Sequence, residues 1–389
     1  MEPQGSELAA PRQDKAVPLR IVIDGRKLGD GGIGVYIDNL VRGLLEVGGA
    51  EVTLIARPGA QERVDYSSDV RWLVEDAGTY SIDEMLFMGR RLNVSKFDVF
   101  HAPHYTLPFG ISIPTVVTIH DLIHIHHPEK FYYPWVARPL IRSAVRRADK
   151  VIAVSQQTRH AVLDLCGVEE SKVICVPNGV PSFLGEGPLN SHAGRRYGEL
   201  TPFFLAVFST LKPHKGLLDL IEAYRSYRAV DTWSEMGSRC PRLILAGYGT
   251  EEILNSSELL ARISGTEGVH IAGPVSRDEL AALYRKATAL VVPSFLEGFC
   301  LPALEAQACG TPVVCRPVPA LQELVTESDV VAKDFSVPAL AAAMAQGISR
   351  GVASQRVIPF KHLEVYSCAR TAARVLDVYK GVLAPKRIA

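Results

Sequence analysis

Short β-branched and apolar runs, each followed by a helix-like pattern, recur along almost the whole chain of 389 residues. From Leu19 onward the first half contains IVID, EVTLI, DVFHA, TVVTIHD, VIAVS and VICVP, and helical stretches such as Gly34 to Val47 and Pro139 to Ala148 separate most of them. After a stretch rich in glycine, proline and serine, the pattern restarts with FFLAVF, RLILAG, VHIAG, ALVVPS and PVVC, again separated by helices such as Asp278 to Lys286. Unbroken apolar strand runs alternating with amphipathic helices are what a parallel sheet needs when both its faces are covered. Two successive series predict an α/β chain with two doubly wound, Rossmann-like parallel-sheet domains. The length agrees, because single cores stop growing beyond about 250–300 residues.

The boundaries follow from the pattern. Residues 1–17 read as a disordered leader, polar and interrupted by proline, with no apolar run suited to a signal peptide or a membrane span. Residues 18–185 form the first domain, 186–201 the linker and 202–365 the second domain. Residues 366–389 hold a helix, Tyr366 to Val382, that is expected to pack back towards the first domain. Seven cysteines without a CxxC pair or a zinc-spaced Cys/His cluster fit a reducing, cytoplasmic setting better than a disulfide framework or a structural metal. Basic and acidic residues both number 42, so no global field favours nucleic acid, and an anionic ligand must be held by local groups.

Open parallel sheets bind ligands beyond the carboxyl ends of their strands, so two facing sheets enclose a cleft where residues just after strands meet. The segment VPSFLEGFCLPALEAQACGTPVV leaves a strand, turns at Gly298 and enters a helix near Pro302. Glu297 on the turn and Glu305 in the helix are both able to face the cleft, with the backbone N–H groups of Gly298, Phe299, Cys300 and Leu301 between them as a phosphate cradle. Two carboxylates flanking such a cradle suit the hydroxyls of a sugar and a ribose on either side of a diphosphate. Read by spacing alone, Glu305 is equally a complement to the helix dipole and Glu297 a solvated loop acid.

Three further segments follow strands. FSTLKPHKG places Thr210 and Lys215 in a loop; His120 and Asp121 end TVVTIHD; and GDGGIG, residues 29–34, precedes a helix. The last satisfies G-x-G-x-x-G, but four residues separate it from the strand and the next strand ends in Arg57, not in an acid that would hold a ribose. Gly31 and Gly32 are therefore read as a flexible loop approaching a ligand from the first domain. His124, His126 and His127 lie close in sequence, but no acid-backed HxxxH helix surrounds them, and no metal is expected. Residues 131–147 combine aromatic side chains with Arg138, Arg142, Arg146 and Arg147, which suits either an ordinary helix with a charged outer side or a contact to anionic lipid or a lipid-linked acceptor.

EGFCLPALEAQACGTPVV resembles the E-x7-E signature of the retaining glycosyltransferases of family 4, whose fold is GT-B. The resemblance extends through GGIGVY, VVTIHDLIHIHHPEKF, ADKVIAVSQQTR, VICVPNGV, STLKPHKG and LILAGYG in the family's order. It implies that Glu297 contacts donor-sugar hydroxyls, that Glu305 holds the nucleotide's ribose, that Lys215 neutralises the leaving diphosphate and that His120 lies beside the sugar, with Asp121 orienting the loop or the imidazole. The nucleotide base would be read by loop backbone near residues 272–275. Two positions depart from the pattern: Thr210 replaces a frequent arginine, and Cys300 replaces a glycine, which leaves the cradle usable if Cys300 keeps a negative φ.

The implied reaction moves a hexosyl group from a nucleoside diphosphate sugar, with GDP-mannose favoured by the motif variants, to a glycan or lipid-linked hydroxyl in polysaccharide or lipopolysaccharide synthesis. It proceeds with retention and without cofactor or metal. The alternative is a catalytically degenerate GT-B protein that binds a sugar nucleotide or a partner subunit. As loop residues, Glu297 and Lys215 are expected to be replaceable with little loss of stability.

Overall fold

A computed structural model describes residues 17–66, 69–181, 197, 199–229, 240–353 and 358–384. All of the expected leader but Val17, and most of the expected linker, fall outside them. The first sheet contains β1 (Leu19–Asp24), β2 (Ala50–Ala56), β3 (Arg71–Val74), β4 (Val99–Ala102), β5 (Thr115–Ile119), β6 (Lys150–Ala153) and β7 (Val173–Cys175), in the order β3-β2-β1-β4-β5-β6-β7. The second contains β8 (Phe203–Val207), β9 (Arg242–Ala246), β10 (Val269–Gly273), β11 (Ala289–Val292), β12 (Val313–Cys315) and β13 (Val330–Val331), in the order β10-β9-β8-β11-β12-β13. Every strand pairing is parallel. The principal helices are α1 (Gly31–Val47), α2 (Tyr133–Arg147), α3 (Gln156–Cys166), α4 (Leu217–Arg228), α5 (Arg277–Lys286), α6 (Leu301–Ala308), α7 (Val337–Ala353) and α8 (Cys368–Leu383).

The two-residue period of a strand divides each apolar run between two helical layers. In the first sheet Ile21, Ile23, Leu54, Val116 and Ile152 meet Ile37, Leu40, Val41 and Leu44 of α1, while Val22, Phe100, Val117 and Val151 meet Ile141 and Val145 of α2 and Val162 of α3. In the second, Phe204, Ala206, Leu243 and Leu245 meet α4 and α7, and Phe203, Leu205, Ile244 and Leu290 meet α5 and α6. The first sheet recruits one helix from the far end of the chain. Val375, Leu376 and Tyr379 of α8 lie beside α1 in the same core cluster, and the buried Tyr379 hydroxyl is 2.7 Å from His101 Nδ1.

Several elements differ from the sequence reading. β3 and β13 were not anticipated: β13 has two residues, and the ends of β3 are exposed, so neither carries an unbroken apolar run. α2 starts at Tyr133, six positions before the expected Pro139, because Pro134 suits a first helical turn and Pro139 is tolerated inside. α8 starts at Cys368, where the Ser367 side chain accepts the N–H of Arg370. Gly31 and Gly32 are not a loop but the first turn of α1.

The domains touch through polar bridges. Arg277 on α5 pairs with Asp38 on α1, and Lys212 with Glu129 at 2.7 Å. The carboxylate of Glu323, from the second domain, accepts the N–H groups of Gln156 and Gln157 at 2.9 Å each, an anion on the N-terminus of α3. Among the described residues no helix is long and apolar enough to cross a membrane.

Candidate active site

The cleft between the sheets encloses about 1290 Å³ and is lined by His120, Asp121, Gly31, Gly32, Thr210, Lys215, Glu297, Gly298, Phe299, Cys300, Leu301 and Glu305. These residues come from separate stretches of the chain, and the strand ends bring them together. Residues 272–275, where base recognition was expected, do not line it; Tyr248, Arg277 and Leu280 do.

At its centre Lys215 Nζ lies 2.8 and 3.0 Å from the two carboxylate oxygens of Glu297, and Ser294 donates its hydroxyl to Glu297 Oε1 at 2.6 Å. Lys215 ends the short 3₁₀ turn Pro213–Lys215, and Gly216 follows with φ +69°. A Cβ on Gly216 would lie 2.3 Å from the carbonyl oxygen of Pro293, so only glycine lets the Lys215 turn press against the Glu297 loop. Burial pushes the Lys215 ammonium down, but the Glu297 carboxylate outweighs it and leaves the pKa raised. The pair is a desolvated cation and anion with one hydroxyl to spare, not the solvated loop charges that little stability cost would require.

Two helix N-termini open onto the same cavity. Gly31, Gly32 and Gly34 at the start of α1, and Leu301 and Pro302 at the start of α6, line it, and neither helix has a side-chain cap. Uncapped first-turn N–H groups concentrate partial positive charge and donors suited to phosphate oxygens. Cys300 stands at the N-cap of α6 with φ +79°, in the left-handed region. The sequence reading had required a negative φ there. The cradle instead keeps the conformation a glycine would give it and accepts the strain of a Cβ, and burial holds the thiol well above its usual pKa, hence protonated. Glu305, on the second turn of α6, accepts the Tyr284 hydroxyl at 2.8 Å, and burial raises its pKa.

From the first domain, His120 approaches at the end of β5. Its Nε2 is 2.9 Å from the carbonyl oxygen of Pro103, which can only accept, so Nε2 carries the proton and Nδ1 is left as an acceptor. Burial pulls its pKa down to about 4, so the ring is neutral near pH 7. Asp121 Oδ1 accepts the N–H of Ile123 at 2.9 Å, which shapes the loop and not the imidazole. Gly298 sits against this pair: a Cβ there would fall 1.9 Å from His120 O and 2.9 Å from Asp121 Cβ. Thr158 bridges the contact, donating towards the carbonyls of His120 and Gly298 at 3.3 and 3.4 Å.

Thr210 lines the cleft beside Gly249, where a Cβ would lie 2.8 Å from Thr210 N. His214, between Thr210 and Lys215, is buried with neither ring nitrogen hydrogen-bonded, and burial brings its pKa down to about 4. The sequence reading overlooked it, along with Ser294 and Lys27; single polar residues without a spacing partner carry no periodic signal. Lys27 projects over the Tyr80 ring at 4.4 Å on the first-domain wall. The three histidines after Asp121 do not converge: His124 lies between Tyr105 and Tyr133, whereas His126 and His127 are exposed. The group Asp24, Glu84 and His104 does converge, but Arg26 donates to both carboxylates at 2.6 Å and occupies its centre.

Comparisons with known proteins identify the family and the fold. Residues 30–182 match the profile described as Glycosyltransferase Family 4, and residues 196–359 the profile described as Glycosyl transferases group 1. The chain is 27% identical over 293 residues to O-antigen chain mannosyltransferase B of Escherichia coli, covering 72% of this chain and 74% of that protein. It is 28% identical over 397 residues to a D-inositol 3-phosphate glycosyltransferase of Corynebacterium aurimucosum, covering 91% of each. The crystal structure of Anabaena HepE in complex with UDP-glucose superposes with a TM-score of 0.70 at 18% identity, covering 93% of this chain and 100% of that one.

Proposed function

Because the chain belongs to glycosyltransferase family 4, we propose that it transfers a hexosyl group from a nucleoside diphosphate sugar to a hydroxyl of a glycan or lipid-linked acceptor, with retention at the anomeric carbon. The observation that carries this reading is the Lys215–Glu297–Ser294 group, set in the cleft with two uncapped helix N-termini. A diphosphate bound at those N-termini draws the Lys215 ammonium towards its oxygens and frees Glu297 to accept hydroxyls of the donor sugar. Glu305 is left for the ribose.

As the glycosidic bond to the diphosphate breaks, negative charge grows on the leaving oxygen, where Lys215 and the helix N–H groups are already oriented. The acceptor hydroxyl attacks from the same face, and its proton passes to the leaving phosphate. His120, neutral and with Nδ1 as an acceptor, orients a sugar hydroxyl. Lys215 and backbone N–H groups supply the positive charge, so the step needs no divalent metal. GDP-mannose is the favoured donor, supported by the motif variants and by the similarity to a mannosyltransferase.

Binding and slow hydrolysis of UDP-glucose, UDP-N-acetylglucosamine, GDP-mannose and ADP-glucose, measured with EDTA present, test the reading. One donor bound and turned over without metal is the expected result. Binding of none of the four would transfer the weight to a degenerate member of the family.

A further inference from the structure

Residues 131–147 contain Arg138, Arg142, Arg146 and Arg147 and no acid, in a chain whose formal net charge is zero. On α2, at about 100° per residue, the buried Ala137, Ile141, Ala144 and Val145 face the core, and Trp135, Arg142 and Arg146 fall on the opposite side with Arg138 at its edge. Trp135 is 80% exposed and Phe131, in the preceding loop, 87%. Arg138, Arg142 and Arg146 are exposed, and none is paired with a carboxylate among the described residues; Arg142 Nε reaches only the carbonyl of Leu165. Two large exposed aromatic side chains at the tip of a helix, backed by a strip of unpaired arginines, are an interfacial arrangement: apolar rings for the acyl boundary and guanidinium groups for phosphates.

This face is continuous with the cleft. Ring centroids succeed one another from Phe131 to Tyr132 at 5.7 Å, to Tyr133 at 5.2 Å, to His124 at 5.4 Å and to Tyr105 at 6.1 Å. The last three of these side chains line the cavity. We infer that the outer face of α2, with Phe131 and Trp135 at its tip, docks on a bilayer bearing anionic headgroups and holds the first-domain mouth of the cleft against it. Resting on the transferase reading above, this makes the acceptor a lipid-linked one, whose hydroxyl enters along the aromatic run while its lipid stays in the membrane. Charge complementarity favours a bilayer over a protein partner, since the strip reads phosphate anywhere and presents no fixed pattern of hydrogen bonds.

The test uses the full chain without donor or acceptor, so its failure is separate from failure of the transferase reading. Co-sedimentation is measured with vesicles of phosphatidylcholine alone and of phosphatidylcholine with phosphatidylglycerol, at low and high salt. The protein is expected to bind the anionic vesicles and to be largely but not wholly released by salt, which screens the arginines and leaves the aromatic rings to hold the remainder. The triple variant Arg138→Gln/Arg142→Gln/Arg146→Gln should weaken partitioning on the order of 100-fold, from about fivefold per charge near an anionic surface. Phe131→Ser/Trp135→Ser should abolish retention that survives salt, with circular dichroism unchanged because the altered side chains are exposed. No binding to anionic vesicles overturns the inference, as does binding that both variants leave intact. A solution dimer that the same substitutions dissociate also overturns it, by assigning the face to a second copy.

Discussion

Lys215 and Glu297 were read from the sequence as loop residues whose loss would be structurally mild, and the structure reverses that. Their side chains are 21% and 9% exposed, so removing one leaves the other as a desolvated, unpaired charge. Breaking a buried pair costs about 3–5 kcal/mol, and the residual exposure of Lys215 places the expected loss towards or below the low end. Lys215→Met and Glu297→Gln should each lower stability in urea melts and cut transfer by orders of magnitude. The double variant should recover most of the stability and none of the activity. Single variants as stable as the parent would mean that water already solvates the pair. Cys300 makes the opposite prediction: at φ +79° a Cβ costs roughly 1–2 kcal/mol, so Cys300→Gly should raise the unfolding free energy by about 1 kcal/mol and leave donor binding intact. Cys300→Ala, which keeps the Cβ, should not stabilise.

Among elements, the decisive join is between the Glu297–Leu301 turn and the end of β5. Gly298 is needed for close approach: its missing side chain lets the second domain touch the His120 carbonyl, and no flexible group stands there to give way. Gly298→Ala should therefore push the domains apart, lowering transfer at least tenfold while far-UV circular dichroism stays unchanged, and small-angle scattering should show a more open particle. Unaltered activity in this variant would mean that the contact between Gly298 and His120 is not kept during turnover. The short β3 and β13 show the converse at this scale. Edge strands of four and two residues contribute pairing without an apolar signature, so periodicity passes over them.

For the whole molecule, two features set stability. α8 carries Val375, Leu376 and Tyr379 into the core of the first sheet, so a chain ending before Cys368 should lose a large fraction of the first domain's stability. Each such side chain contributes about 1.5–3 kcal/mol by burial, against a total of about 5–15 for a domain. The second feature is three histidines buried as neutral rings: burial takes His101 down to about 3 and His120 and His214 to about 4. In the unfolded chain each protonates near 6.5. Between those values the unfolded state binds more protons, so their contribution is fully present above about pH 6.5 and is lost as pH falls towards 4. The slope reaches at most about 4 kcal/mol per pH unit for three protons. Melting temperatures at about pH 7 and about pH 5 check this; equal values would mean the rings are hydrated.

The two parallel sheets are legible in the sequence alone, because strands buried on both faces must be written as unbroken apolar runs and helices between them as amphipathic ones. The segments that line the cleft were legible for a related reason: glycines, acids and a lysine just after strands stand out against those runs. What folding alone decided is what depends on distance across the cleft. The ion pair of Lys215 with Glu297, the left-handed backbone of Cys300 and the contact of Gly298 with His120 each join residues from different elements or fix a dihedral through packing. A one-dimensional pattern records which side of a strand or helix a residue faces. It does not record what will face it there, because that partner is chosen only when the sheets, the helices and the two domains have closed on one another.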